Sequence, residues 1–141
     1  MRVMMMIKGD REPGHLPSGE FLAQMGKYNQ ELSKAGLLLD LAALHWSAEG
    51  VRVKCSSGER IVIDGPFGEA KAIVAGYWIL RVVSMGEAME WAKRLPFAAG
   101  GEPEAEGEIE LRQLFELEEF GERPAVERGG QLEGELPKNK A

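Results

Sequence analysis

The chain has 141 residues and a net charge of −6, with 17 lysine and arginine residues against 23 aspartate and glutamate residues. This length suits one domain with a buried core rather than two, and the acidic balance gives no electrostatic footprint for nucleic acid. One cysteine and two distant histidines exclude an intramolecular disulfide and leave no spacing that fixes a tetrahedral metal site. We therefore expect a small globular protein that uses no metal, no other cofactor and no nucleic acid.

The segment from Arg2 to Lys8 is a short apolar run of strand length, and we predict that it forms a first, buried strand. The run is too short for the apolar core of a signal peptide. No stretch approaches the length that spans a membrane. The sequence therefore predicts a cytoplasmic protein without a membrane partner.

A loop with two prolines leads to a helix that we predict from Ser18 to about Ala35. Ser18 is a favourable N-cap, and Gly36 follows the helix where glycine is favoured. Apolar side chains recur at three- and four-residue steps and define the face that should pack inward. They are Phe21, Met25, Tyr28, Leu32 and Ala35.

The middle of the chain reads as strands. Leu37 to Trp46 is nearly all apolar and predicts a second strand. Val51 to Cys55 and Arg60 to Asp64 are two short runs around a turn that contains Gly58, a spacing typical of a β-hairpin. Ala75 to Val83 is rich in aromatic and β-branched residues and predicts a further strand.

A second helix begins with Ser84 and Glu87, which have the spacing of a capping box, and ends before Pro96. Glu108 to Glu116 alternates apolar and charged residues and predicts the last strand. The side chains expected on the inward face of this second helix are Met85, Ala88, Met89 and Ala92.

Residues 117–141 combine charges, glycines and prolines with few large apolar groups, so they cannot bury enough surface to offset their ordering entropy. We expect a mobile charged tail there, after one domain of residues 1–116. Without the hairpin, the elements follow the ferredoxin-like order, an α+β fold with an antiparallel sheet and two helices on one face.

The other face of this sheet should also be covered. Leu38, Leu44, Trp78 and Leu80 would give it too much apolar surface to remain hydrated. A second copy of the chain is the simplest cover, so we expect a homodimer through the sheet face.

The turn Asp64-Gly65-Pro66-Phe67, followed by Glu69 and Lys71, resembles the signature of the YCII-related, DGPF-type family. The resemblance implies a dimeric α+β barrel, in which two ferredoxin-like units pack sheet to sheet. Further matching segments are Tyr28-Asn29, Ala35-Gly36-Leu37-Leu38, Gly76-Tyr77-Trp78-Ile79, Glu87-Ala88 and Trp91-Ala92.

In the YciI-like branch of that family, a histidine and an aspartate are proposed as an acid–base pair, and this chain lacks both. Ser18 to Ala35 contains no histidine, and Leu95 stands where the aspartate of that branch would be. Relatives of the DGPF type are often encoded beside, or fused to, extracytoplasmic-function sigma factors. The resemblance therefore implies a regulatory or accessory role.

Asp64 is the first candidate for a catalytic base, because a carboxylate at a strand end can have its pKa raised by partial burial. The alternative is an Asx-turn, in which its side chain bonds to the backbone of the turn. His45 and Tyr77 are the candidate proton donors. All three lie on or next to the predicted strands.

Four residues form the predicted ligand-binding set. Glu69 and Lys71 are two residues apart and would project the same way, either to clamp a charged substrate or as a solvated surface pair. Phe67 belongs to the same turn. His15 lies in a loop of the kind that can fold over the mouth of a pocket.

Two functions remain open at this point. The first is a dimer that binds a small molecule or a protein partner, as an accessory of sigma-factor regulation. The second is a cofactor-free acid–base enzyme, an isomerase or a dehydrohalogenase-like lyase, acting on a small organic acid or lactone with Asp64 as the base. The missing acid–base pair favours the first.

Overall fold

The computed structural model of the protein describes residues 1–96, 107–121 and 129–130. The described residues form six strands and two helices, which are, in chain order, β1 (Arg2–Lys8), α1 (Gly19–Lys34), β2 (Leu38–Ala43), β3 (Val51–Ser56), β4 (Glu59–Asp64), β5 (Val74–Arg81), α2 (Met85–Lys93) and β6 (Glu108–Gln113). The main sheet has the strand order β2-β5-β1-β6, and each neighbouring pair is antiparallel. The predicted α+β, ferredoxin-like fold is confirmed.

The predicted hairpin is present between β2 and β5. Strands β3 and β4 pair with each other and form a separate two-stranded sheet. Ser57 and Gly58 at its tip both have positive φ angles, 50° and 79°, as the type I′ turn of a tight hairpin requires. All residues of both strands are exposed, so the hairpin projects from the rest of the domain.

The core lies between the main sheet and the two helices. Ser18 caps α1 by accepting a hydrogen bond from the Phe21 amide at 3.1 Å, as the sequence predicts. The phenol of Tyr28 donates to the Trp91 carbonyl oxygen at 2.7 Å and so links the two helices. Burial of this phenol raises its pKa. The buried core residues are Val3, Met5, Tyr28, Leu32, Trp78, Leu80, Val82, Ala88 and Leu95.

One prediction about the sheet faces was wrong. Trp78 and Leu80 are 5% and 0% exposed and belong to the core beneath the helices, not to the opposite face. Leu38 also packs against that core. The reason is that β5 is apolar on both faces, so alternation alone does not tell which face meets the helices.

The face opposite the helices follows from the register of the strands. Met4 pairs with Ile79 and Met6 pairs with Tyr77, and directly paired residues point to the same side of a sheet. These four positions alternate with the core residues of β1 and β5. An apolar strip therefore runs along the centre of this second face.

Several details of these elements differ from the prediction. β2 ends at Ala43 rather than Trp46, because the chain leaves the sheet there for a 3₁₀ turn at Ser47–Glu49. Ala35 is exposed, since it is the C-cap of α1 and lies beyond its last turn. Met89 is also exposed, at 46%. The short helix α2 buries the side that contains Ala88, and Met89 lies beside that contact.

A further 3₁₀ turn, Leu117–Phe120, follows β6. The guanidinium of Arg2 donates to both carboxylate oxygens of Glu116, at 2.9 and 3.0 Å, and ties this turn to β1. Residues 122–128 and 131–141 lie outside the described residues, so the mobile tail at 117–141 stays a prediction. Within the described ranges, no helix is both long enough and apolar enough to cross a membrane.

Candidate functional site

A pocket of about 380 Å³ lies where β2 ends and β5 begins. This volume is within the range of small-molecule sites, roughly 300–1,000 Å³. Leu44, Ile73 and Val74 form its aliphatic wall, close to the main sheet. The opposite wall comes from the base of the hairpin and from the turn that contains Phe67.

Three chain segments meet beside this pocket through one serine, Ser47. One carboxylate oxygen of Asp10 accepts a hydrogen bond from the Ser47 hydroxyl. The other accepts from the Ser47 amide at 2.9 Å. The Ser47 hydroxyl oxygen in turn accepts from the Phe67 amide at 3.4 Å. Asp10, Ser47 and Phe67, which we call the Ser47 junction, thus join the segments that follow β1, β2 and β4.

The sheet topology explains why these segments meet. β1 and β2 are both antiparallel to β5, which lies between them, so they run in the same direction and end together. The Gly9 amide donates to the Ile73 carbonyl at 2.8 Å, and the Leu44 amide donates to the Ala75 carbonyl at 2.8 Å. Both strand ends are therefore fixed against the start of β5.

Gly65 packs against the backbone of the same 3₁₀ turn. An ideal Cβ at this position would lie 1.7 Å from the Ser47 carbonyl oxygen, far inside van der Waals contact. The Gly65 amide donates to the Gly50 carbonyl at 2.9 Å, and the Gly50 amide donates to the Ser47 carbonyl at 2.9 Å. This close approach requires glycine, and it places Phe67 at the pocket.

The electrostatics of the Ser47 junction favour an ionised carboxylate. The hydrogen bond from the Ser47 hydroxyl, and then that from the Ser47 amide, hold the pKa of Asp10 below its ordinary value. Such a carboxylate is a weak base, and Ser47 is only 5% exposed. An activated serine nucleophile needs a stronger base and access to substrate. The arrangement is therefore suited to holding the turns in place.

Aromatic side chains and two charges surround the rest of the pocket. The rings of His45 and Trp46 lie 4.1 Å apart between centroids. His45 Nδ1 is 3.0 Å from a carboxylate oxygen of Glu49, one turn further along the chain. The guanidinium carbon of Arg52 lies 4.1 Å above the centroid of the Phe67 ring. All five side chains line the pocket.

The indole of Trp46 contains an unusual polar atom. Its Nε1–H is buried and finds no acceptor within the described part of the chain. An unsatisfied buried donor costs about 1–3 kcal/mol of stability. Natural proteins retain few such groups.

The structure places two of the predicted site residues, His45 and Phe67, together at the pocket. Asp64 lies at the end of β4, opposite Val51, and is exposed. It does not line the pocket, and the described residues form neither a proton-transfer contact nor an Asx-turn bond with its side chain. Tyr77 lies on the sheet face opposite the helices, paired with Met6 and away from the pocket.

Glu69 and His15, two further predicted ligand-binding residues, do not line the pocket. Glu69 is exposed and precedes a short 3₁₀ turn at Ala70–Ala72. The side chain of His15 is 71% exposed, and its nearest acidic partner is Glu12 at 3.8 Å. The side chain of Lys71 lies outside the described residues. In the ranges that are described, no three acidic, histidine or cysteine side chains cluster as a metal site would require.

Sequence reasoning missed Asp10, Ser47, Trp46 and Arg52. Asp10 and Ser47 are 37 residues apart, so no local spacing connects them. The available signal was the fold itself, because a ferredoxin-like order brings the ends of the first two strands to the same edge of the sheet. Arg52 is one of several charged residues in the hairpin strands, and its sequence position gives no sign of the contact with Phe67.

Replacement of Gly65 tests the close approach to Ser47. Gly65→Ala should lower the free energy of unfolding by about 2 kcal/mol or more, because the new Cβ overlaps a backbone carbonyl that cannot move freely. Gly26→Ala is the control, since no atom lies within 4 Å of an added Cβ on this helical glycine. It should stabilise the protein by about 0.5–1 kcal/mol. Urea denaturation measures both, and an unchanged Gly65→Ala protein would contradict the account.

The Ser47 junction also makes stability depend on pH. Since the folded-state pKa of Asp10 lies below the ordinary 3.8, its ionised form stabilises the fold above that pH. The contribution is lost as the pH falls through the folded-state value. Asp10→Asn and Ser47→Ala should therefore each flatten the decline of unfolding free energy below about pH 4. If the unfolding free energies of wild type and Asp10→Asn declined in parallel with pH, the pH dependence would not come from Asp10.

Comparison with known proteins identifies the family. The family description that matches residues 1–117 is the YCII-related domain. An uncharacterised protein of Rhizobium meliloti (strain 1021) is 34% identical over 92 residues, which is 65% of this chain and 70% of that protein. Residues 1–117, which the family description matches, contain the main sheet, both helices and the pocket. The chain belongs to the YCII-related family.

Proposed function

We propose that this protein binds a small organic molecule in the pocket between the Ser47 turn and Phe67. The observation that carries the proposal is the pocket itself, which is lined by aliphatic side chains and aromatic rings. Apolar walls with a few polar groups are typical of small-molecule sites. The backbone hydrogen bonds of Ser47, Gly50 and Gly65 hold the walls in place before any ligand arrives.

We also propose that the protein is a homodimer through the sheet face opposite the helices. Met4, Met6, Tyr77 and Ile79 supply an apolar centre for this interface. Charged residues of β6 flank it, with Lys8 3.4 Å from Glu110. An apolar centre with a polar rim is the usual composition of a protein interface.

The acid–base alternative has less support. Asp64 is exposed and outside the pocket lining, and the imidazole of His45 is paired with Glu49 rather than with Asp64. A regulatory or accessory role beside a sigma factor, which the family resemblance implies, would use ligand binding as its signal.

Thermal-shift screening with a library of small organic fragments tests the binding proposal. A ligand present at 100 times its Kd adds about 2.7 kcal/mol to the stability of the wild type, which raises its Tm by several degrees. The shift should shrink in Phe67→Ala, because this change removes one wall of the pocket. It should persist in Phe115→Ala, a matched change at a 68% exposed phenylalanine outside the pocket. The site would be contradicted if no fragment raised the Tm, or if the Tm shifts were the same in Phe67→Ala as in the wild type.

Light scattering after size-exclusion chromatography tests the dimer. The wild type should elute with twice the mass of one chain, and Ile79→Lys should elute as a monomer, because a buried lysine would lack a partner in the interface. Leu22→Lys, at a 55% exposed position of α1, should remain dimeric. Circular dichroism would verify that each variant is folded. A monomeric wild type would overturn the proposal, as would a dimeric, folded Ile79→Lys variant.

A further inference from the structure

We propose that the ligand of this pocket is a small aromatic carboxylate and that Arg52 binds its carboxylate group. The inference rests on the proposed function, since it names the chemical class of molecule that the same pocket takes. It comes from two features of the lining, which are the pairing of its charged groups and the shape of its aromatic wall.

The charged groups at the pocket differ in how they are paired. A carboxylate oxygen of Glu49 lies 3.0 Å from Nδ1 of the His45 imidazole. Arg52 has a different neighbour, because its guanidinium lies over the ring of Phe67. Among the described residues, no carboxylate lies within ion-pair distance of Arg52. The guanidinium edge is therefore the cationic group available to a ligand.

Asp10 of the Ser47 junction does not compete for Arg52. Asp10 accepts hydrogen bonds from the hydroxyl and amide of Ser47 and from the amide of Arg11. Both of its oxygens are thus engaged within the Ser47 junction. A guanidinium has donors in a fixed planar arrangement that matches the two oxygens of a carboxylate. An anionic ligand group fits this part of the pocket better than a cationic one.

The apolar part of the ligand follows from the wall next to Arg52. The guanidinium lies over the Phe67 ring, and the His45 and Trp46 rings are in contact at an interplanar angle of 50°. Aromatic side chains favour planar rings as partners, through offset or edge-to-face contacts. A single aromatic ring with an attached carboxylate would contact these side chains and leave its charged group at Arg52.

Titration calorimetry with three probes of the same shape tests this inference. Benzoate, benzamide and benzylamine share one ring and differ in charge, and each is titrated into the wild-type chain. Benzoate should bind more tightly than the other two. Arg52→Gln should weaken benzoate about tenfold, the loss expected for a charge-assisted hydrogen bond, and leave benzamide unchanged. Arg60→Gln is the matched control, because Arg60 lies on β4 of the same hairpin, is exposed and does not line the pocket.

Several results would overturn the inference. These are equal affinity for benzoate and benzamide, a preference for benzylamine, an Arg52→Gln variant that binds benzoate normally, and no binding of any probe at millimolar concentration. The fragment screen separates this failure from that of the proposed function. If neutral fragments stabilise the wild type but not Phe67→Ala, the pocket is a binding site and only the proposed preference for a carboxylate is wrong.

Discussion

Asp10 holds Ser47 through both of its carboxylate oxygens, and the pocket depends on this contact. Ser47 is buried, and its hydroxyl oxygen accepts a hydrogen bond from the Phe67 amide. Its carbonyl oxygen lies so close to Gly65 that any residue with a Cβ would overlap it. A charge-assisted hydrogen bond is stronger than a neutral one, so a single carboxylate can position two turns. The pocket is thus formed by loops whose geometry is set at one buried serine.

The residues of the Asp-Gly-Pro-Phe turn have different roles in this structure. Gly65 permits the backbone contact with the 3₁₀ turn, and Phe67 presents its ring to the pocket and to Arg52. Asp64, the residue with the most evident chemistry, lies outside the pocket lining. The turn therefore contributes shape more than catalysis. This agrees with the general pattern that a rigid scaffold carries its function on loops.

The sequence predicted the fold well and the site poorly, for different physical reasons. Helix caps such as Ser18 and the hairpin turn at Gly58 are local signals, so element order and topology could be inferred from short segments. The orientation of β5 could not be inferred from the sequence, because Trp78 and Ile79 are both apolar. Only tertiary packing decides which of the two faces the helices. The contact between Asp10 and Ser47 joins residues far apart in sequence and has no local signal.

Hydrogen exchange of the backbone amides, followed by NMR in the wild type and in Ser47→Ala, tests the central role of Ser47 most directly. Loss of the hydroxyl should speed exchange at Gly65 and Phe67, because their turn loses its link to Asp10. The amides of Met5 and Trp78, in the centre of the main sheet, should keep their protection. Unchanged protection at both Gly65 and Phe67 would contradict the account, since the turns would then be held by some other contact.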